Sequence, residues 1–276
     1  MDVTVVAAVA RYELSINARN RWTVVFAVVF GVLVTTIASV GILAEGFTGL
    51  QGFTRTSASL LNLVLYIVPL VALVMGTLSF TGDRGSTELL FAQPVTRTEV
   101  MLGKTAGLFL AISGSMLAGF VTAGAVIAIG GGAEGLPAYA ALVGLALGLA
   151  LVFLGVAVLV STASGRKAKA FGVSLFLWFF FVLFYDLLVV GIGTFLRGQA
   201  ANTFLFLSLF GNPVDLVRVA SLITLDNVTI FGAAGAALLR FLGGPAASLL
   251  LLIAALFLWA GLPLVAAARA LRKQDL

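Results

Sequence analysis

The sequence predicts an all-α membrane protein with six spans, and three observations predict it. The chain has 276 residues, of which 61% are hydrophobic and 10% charged. A soluble domain is roughly half apolar and a quarter charged. Six apolar runs occupy 23–44, 57–80, 105–130, 139–162, 170–192 and 246–268, and each reaches the roughly 20 residues that a helix needs to cross hydrocarbon. The cations are segregated. With both termini placed in the cytoplasm, the inner side holds Arg11, Arg19, Arg21, Arg84, Arg97, Lys104, Arg166, Lys167, Lys169, Arg269, Arg272 and Lys273. The outer side holds Arg55, Arg197, Arg218 and Arg240. Lys and Arg concentrate on the cytoplasmic side of membrane proteins, so this asymmetry sets the orientation. It also accounts for the net charge of +5 without a nucleic-acid partner.

Composition removes several function classes. There is no Cys and no His, hence no disulfide framework, no thiolate metal site and no imidazole base or ligand. Only Asp186 places a charge within a span. A membrane-embedded enzyme built on a Ser–His pair, a zinc ion or paired aspartates is therefore excluded.

The elements follow in chain order. In "VARYELSINARNRW" the apolar Val9, Tyr12 and Ile16 recur at helical spacing among Arg11, Glu13 and Arg19. The pattern predicts an amphipathic helix over 4–20 lying on the inner membrane face, closed by Arg21 and the interfacial Trp22. The first span starts too late and runs too long for a cleaved signal peptide, and no small-residue cleavage site follows it. Between the second and third spans, the strip 82–104 reads "GDRGSTELLFAQPVTRTEVMLGK". Asp83 and Ser86 suit the cap of a short helix Thr87–Ala92, which Pro94 ends. Thr96–Arg97–Thr98–Glu99 has the spacing of a capping box, so a second helix starts at Arg97 and climbs into the third span. Together they predict a charged cytoplasmic hairpin, a docking surface. Its Gly103–Lys104–Thr105 imitates the tail of a phosphate-binding loop. Thr98 stands where that motif requires glycine and no strand precedes it, so the strip is not itself a nucleotide site, and if ATP drives this protein a partner binds it.

Gly144 and Gly148 form a small-residue pair on the fourth span, explained equally by packing in one bundle and by dimerisation. In the fifth span Asp186 lies roughly 9 Å from the outer end at 1.5 Å per residue, and Asn62 of the second span lies at similar depth. An intramembrane charge is costly and points to function. The pair reads either as a cavity lining or gate, or as an Asp at the outer interface or hydrogen-bonded between helices. In the outer segment 197–245, Phe204–Phe210 is too short to cross. Asn212 caps a short helix with Pro213 in its first turn, and Asp215 and Arg218 share one face. That helix reads as a platform for an extracytoplasmic partner, a lid, or an element that only closes the bundle.

The strip "GSTELLFAQPVTRTEVMLGK" resembles the coupling segment of ABC type-2 permeases at Gly85, Glu88, Leu89, Leu90, Pro94, Arg97, Gly103 and Lys104, with Ser86 where the family usually carries Thr. "RYELSINARNRW" resembles that family's elbow helix. More narrowly, "GFTRTSASLLNLVLYIVPLVAL", "FGVSLFLWFFFVLFYDLLVV" and "NPVDLVRV" resemble the permease of nitrous-oxide reductase maturation systems. The resemblance implies one permease domain over 1–276, in the plasma membrane, pairing with a second copy of itself. It implies a cytoplasmic ABC ATPase dimer that holds the ATP and magnesium, docked through Arg84, Ser86, Thr87, Glu88, Pro94, Arg97 and Glu99 with the elbow residues Arg11, Glu13, Arg19 and Arg21. It further implies an outer β-helical partner, for which Asn212, Asp215 and Arg218 are the candidate face, and a role in copper-site assembly. No cofactor is expected on this chain. Copper(I) favours thiolate and thioether ligands and copper(II) imidazole, and the thioethers of Met1, Met75, Met101 and Met116 form no ladder across the bilayer. An exporter of a lipid, drug or peptide is the competing reading of the same family.

Overall fold

The computed structural model describes residues 2–44, 49–81, 95–131, 135–164, 166–225 and 244–273, and these are almost wholly helical. In chain order the helices are α1 (Val3–Ala18), α2 (Arg21–Ala44), α3 (Gly49–Thr81), α4 (Arg97–Gly131), α5 (Leu136–Ser164), α6 (Lys167–Phe179), a π-helical turn (Phe180–Phe184), α7 (Tyr185–Phe195), α8 (Gln199–Phe210), α9 (Pro213–Thr224) and α10 (Pro245–Lys273). Among the described residues six stretches are long and apolar enough to cross a membrane, with α6, the π turn and α7 running as one. The protein is a multi-pass, all-α membrane protein, the class that composition and the six apolar runs predict. The first part of the expected hairpin, with Arg84, Ser86, Thr87, Glu88 and Pro94, lies outside the described residues.

The surface of the bundle is apolar. Val28, Val32, Val121, Phe176, Leu187, Phe195, Leu250 and Phe257 are all exposed. Lipid as the outer solvent removes any penalty for this, and tight packing with interhelical hydrogen bonds holds such bundles together. The most enclosed helix is α5, which packs against α3, α4, α6, α9 and α10. Its Leu149, Val152, Phe153 and Leu154 are buried in the main core with Phe30, Leu65, Ile112, Met116 and Phe120. Polar links cross the bundle. Thr77 and Ser174 hydroxyls meet at 2.7 Å between α3 and α6. The Tyr139 hydroxyl donates to the Phe120 carbonyl at 2.8 Å between α5 and α4. Gly148 takes up the Leu256 side chain of α10, whereas Gly144 faces open space, so only one glycine of that pair serves packing within this chain.

The element that departs from a simple six-span bundle is the α8–α9 pair, bent by 101° at residues 210–213. Each helix has 12 residues, about 18 Å at 1.5 Å per residue, too short for a hydrocarbon layer of about 30 Å. The second helix nevertheless does not stay outside. Val214, Leu216, Val217, Ala220 and Leu222 are buried, and α9 packs against α5, α10 and α3. Burial of this apolar face turns the segment back into the bundle.

At the opposite end, α3 has 33 residues and α4 has 35, about 50 Å each and well beyond the hydrocarbon thickness. The end of α3 and the start of α4 therefore stand clear of it, and there α1 packs along α4.

Candidate functional site

Two polar constellations stand out, one at each end of the bundle. The first is the junction of α1, α3 and α4. The capping box at the start of α4 forms: the Glu99 amide donates to Thr96 Oγ1 at 3.3 Å, and the Thr96 amide donates to Glu99 Oε2 at 2.9 Å. The other carboxylate oxygen accepts from the Asp2 amide at 2.6 Å. Asp2 is itself the cap of α1, accepting from the Thr4 amide at 2.8 Å and the Thr4 hydroxyl at 2.7 Å. These bonds, the Thr4 hydroxyl's first, hold the Asp2 carboxyl below its ordinary value. One glutamate thus ties together two helix starts, where unpaired amides and the helix dipole both favour an anion.

Glycine explains why α1 can lie so close. A Cβ on Gly103 would stand 2.7 Å from Val9 Cβ and 2.8 Å from the Val6 carbonyl, and one on Gly107 would meet the Ala10 carbonyl and, at 2.7 Å, Glu13 Cβ. The GKT triplet that imitates a phosphate loop thus begins with a glycine on which α1 rests.

On the same helix, Glu13 and Asn17 are buried. Glu13 Oε1 accepts from Asn17 Nδ2 at 2.9 Å and from the Ser79 hydroxyl of α3 at 2.8 Å. The apolar Tyr12 and Ile16 of α1 are exposed instead, the arrangement expected of a helix with one face in lipid and its polar face turned to the protein. Arg97 Nη1 donates to the Leu271 carbonyl at 3.4 Å, a cation on the last turn of α10, where orphan carbonyls collect. Of the docking residues expected in the hairpin, Arg97 and Glu99 are thus engaged inside the chain. Arg11 and Arg19 of the elbow are exposed, as is Arg21 at the start of α2.

The second constellation lies where α7 meets the α8–α9 bend. Arg218 Nη1 lies 2.8 Å from Asp186 Oδ2 and 2.6 Å from Asp215 Oδ1. Asn212, fully buried, accepts from the Val214 amide at 3.0 Å, and its Nδ2 donates to Asp215 Oδ2 at 3.0 Å and to the Phe181 carbonyl at 2.9 Å. Phe181 sits in the π turn, whose wider winding disturbs the ordinary carbonyl pairing of an α-helix. The Tyr185 hydroxyl donates to the Ser208 carbonyl at 2.6 Å and fills the space where Gly211 has no side chain. The partner of Asp186 is therefore Arg218, from the segment expected outside. Asn62 is exposed on α3 and has no part in this cluster. Asn212 works within the chain, while Asp215 and Arg218 remain partly accessible.

Asp2, Asn17, Ser79, Gly107, Tyr185 and Leu271 were not singled out from the sequence. Glu13–Asn17 and Gly103–Gly107 are both i,i+4 pairs, a spacing that marks one helix face. The partners of Glu13 and Asp186 on other helices carry no such signal. Among the described residues no group of three or more carboxylates, imidazoles or thiols converges as a metal site.

A family model described as ABC-2 family transporter protein matches residues 7–276. A Pseudomonas aeruginosa protein named "Probable ABC transporter permease protein NosY" is 33% identical over 278 residues, 99% of this chain and 99% of that one. A protein of the same name from Stutzerimonas stutzeri is 33% identical over 222 residues, 78% of this chain and 80% of its own.

Proposed function

The chain belongs to the ABC-2 family of transporter proteins, and from that premise we propose that it is the permease of a nitrous-oxide reductase maturation transporter, working as a homodimer on a cytoplasmic ATPase pair. Similarity at 33% over nearly the whole of a protein named NosY carries the proposal. The termini lie in the cytoplasm of the plasma membrane, and the segment 82–104 with the elbow takes the ATPase. ATPase closure pushes on the hairpin. Glu99 and the Gly103–Gly107 seat couple that push to α1 and α4, and Glu13–Ser79 couples it to α3. Glu99 and Arg97 then act by positioning the hairpin, and the docking contacts fall to Arg84, Ser86, Thr87 and Glu88.

On the outer side, the α8–α9 turn held by Asp186, Arg218 and Asp215 faces a β-helical partner, and copper-site assembly takes place there. The donor set argues that copper does not pass through this chain. It has no Cys and no His, and Met75 and Met116 are buried among apolar neighbours. The subunit supplies motion, and the copper is handled by the outer partner.

The docking claim is tested by co-purification with a co-expressed ATPase. Reversing Arg84→Glu and Glu88→Arg together should leave membrane insertion intact and lower ATPase recovery by about tenfold or more, the loss of roughly 1.4 kcal/mol of contact. Recovery at the wild-type stoichiometry sinks it.

A further inference from the structure

We infer that the cavity beneath the elbow is a binding site for the phosphate headgroup of an anionic phospholipid. The cavity has a volume of about 360 Å³ and lies between α1, α3, the third turn of α4 and the first turns of α2 and α6. Its lining joins the apolar side chains of Ile16, Met75 and Leu78 to Lys104, Lys167 and Trp22. Two ammonium groups and apolar side chains in one cavity suit an amphiphile, with the phosphate on the lysines and the first methylenes against the apolar side chains.

Three observations favour a lipid over a soluble anion. Ile16 both lines the cavity and belongs to the exposed apolar face of α1, so the cavity is continuous with the surface that meets the bilayer. Trp22 is exposed at the start of a span, where an indole marks the headgroup layer. Met75 and Leu78 lie within two turns of the end of α3, a helix long and apolar enough to cross a membrane, so these side chains lie at the edge of the hydrocarbon.

The charge favours an anion. Neither lysine has a carboxylate partner among the described residues. The Lys104 ammonium stands 5.5 Å from the centroid of the Phe80 ring, a cation–π contact that fixes the group without neutralising it. The carboxylate that lines the cavity, Glu13, already accepts from Asn17 and Ser79. A lipid wedged here touches the elbow and α3, α4 and α6 at once, and so stiffens the junction. The leaflet is the inner one in the orientation proposed above, and the chemistry of the site does not depend on that orientation.

The test uses the full chain purified in detergent, mixed with equal amounts of phosphatidylglycerol and phosphatidylcholine and read by native mass spectrometry. Because both lipids reach every surface in detergent, a wrong topology cannot imitate a failed site. Phosphatidylglycerol should be retained over phosphatidylcholine by about tenfold, a difference of roughly 1.4 kcal/mol. Lys104→Gln with Lys167→Gln should abolish the preference, and Lys104→Arg with Lys167→Arg should keep it. Lys167 is exposed, so Lys167→Gln alone threatens no packing and should weaken the preference if the double variant fails to fold. Equal retention of the two lipids by the wild type, or an undiminished preference in the Gln variants, overturns the proposal. Displacement of phosphatidylglycerol by inorganic phosphate would assign the lysines to a free anion and overturn the lipid.

Discussion

Arg218 holds two carboxylates from different helices, and its removal exposes what each costs alone. Its side chain is 31% accessible and that of Asp186 39%, so the cluster lies between the exposed and buried limits of ion-pair energetics. Arg218→Ala should therefore lower stability by about 1–3 kcal/mol, more than a surface pair and less than a fully enclosed one. Thermal melting in detergent checks this. The triple change Asp186→Asn, Arg218→Met, Asp215→Asn should recover much of the loss, because it leaves no charge unpaired; if it melts below Arg218→Ala, repulsion between the stranded carboxylates is not the cause. Met75 and Met116 make the opposite point. Both are buried, Met116 within the core and Met75 at its edge beside the cavity under α1, and Met↔Leu swaps conserve volume at a cost usually under about 1.5 kcal/mol. Met75→Leu with Met116→Leu should leave both folding and enzyme maturation intact. Lost maturation in a variant of unchanged melting behaviour would make those thioethers metal ligands.

At the scale of elements, the junction of α1 with α4 has the closest approach of a glycine to another helix's backbone among the described residues, at Gly107 and the Ala10 carbonyl. On the far side of α4 the backbone also approaches α2: a Cβ on Gly119 would lie 3.0 Å from Gly31 Cα. The third span is thus a glycine-seated helix held between elbow and first span. Gly107→Val should lift α1 off its seat, since the added atoms meet the Ala10 carbonyl and Glu13. With no native Cys in the chain, a Cys introduced at Ala10 reports the event. Thiol labelling should quicken by about tenfold in the Gly107→Val background, as local opening of a packed helix would give. An unchanged labelling rate means that α1 shifts along α4 and keeps its seat.

For the whole molecule, the proposed orientation makes a prediction free of structural detail. Cysteines placed at Ser86 and Gly165 should be shielded from an impermeant thiol reagent added outside intact cells, while those at Gly52 and Asn227 should react. The separation follows from the segregated Lys and Arg residues. Labelling of Ser86 from outside would invert the protein in its membrane and move the docking hairpin to the wrong side.

The sequence by itself determined the all-α class, the six helices able to cross a membrane, a helix ahead of the first of them and the capping box at Thr96–Glu99. Each rests on a local rule: length against bilayer thickness, helical periodicity, and hydrogen bonds reaching three residues along the chain. The family too was legible, because its motif lies in one continuous strip. What only the tertiary structure decided is every partner across helices. Asp186 read as a gate, as an interfacial residue or as one hydrogen-bonded between helices until Arg218 was found 2.8 Å away on a helix 32 positions along. Glu13 read as an elbow charge, but its bond to Ser79 spans 66 positions. The short helix after Asn212 carried its cap and its proline openly, yet its re-entry into the bundle depends on how the neighbouring helices leave room for it. In lipid nearly every helix face is apolar, so periodicity no longer marks which side turns inward. Close packing and the pairing of scarce polar groups make that choice, and both belong to the assembled bundle.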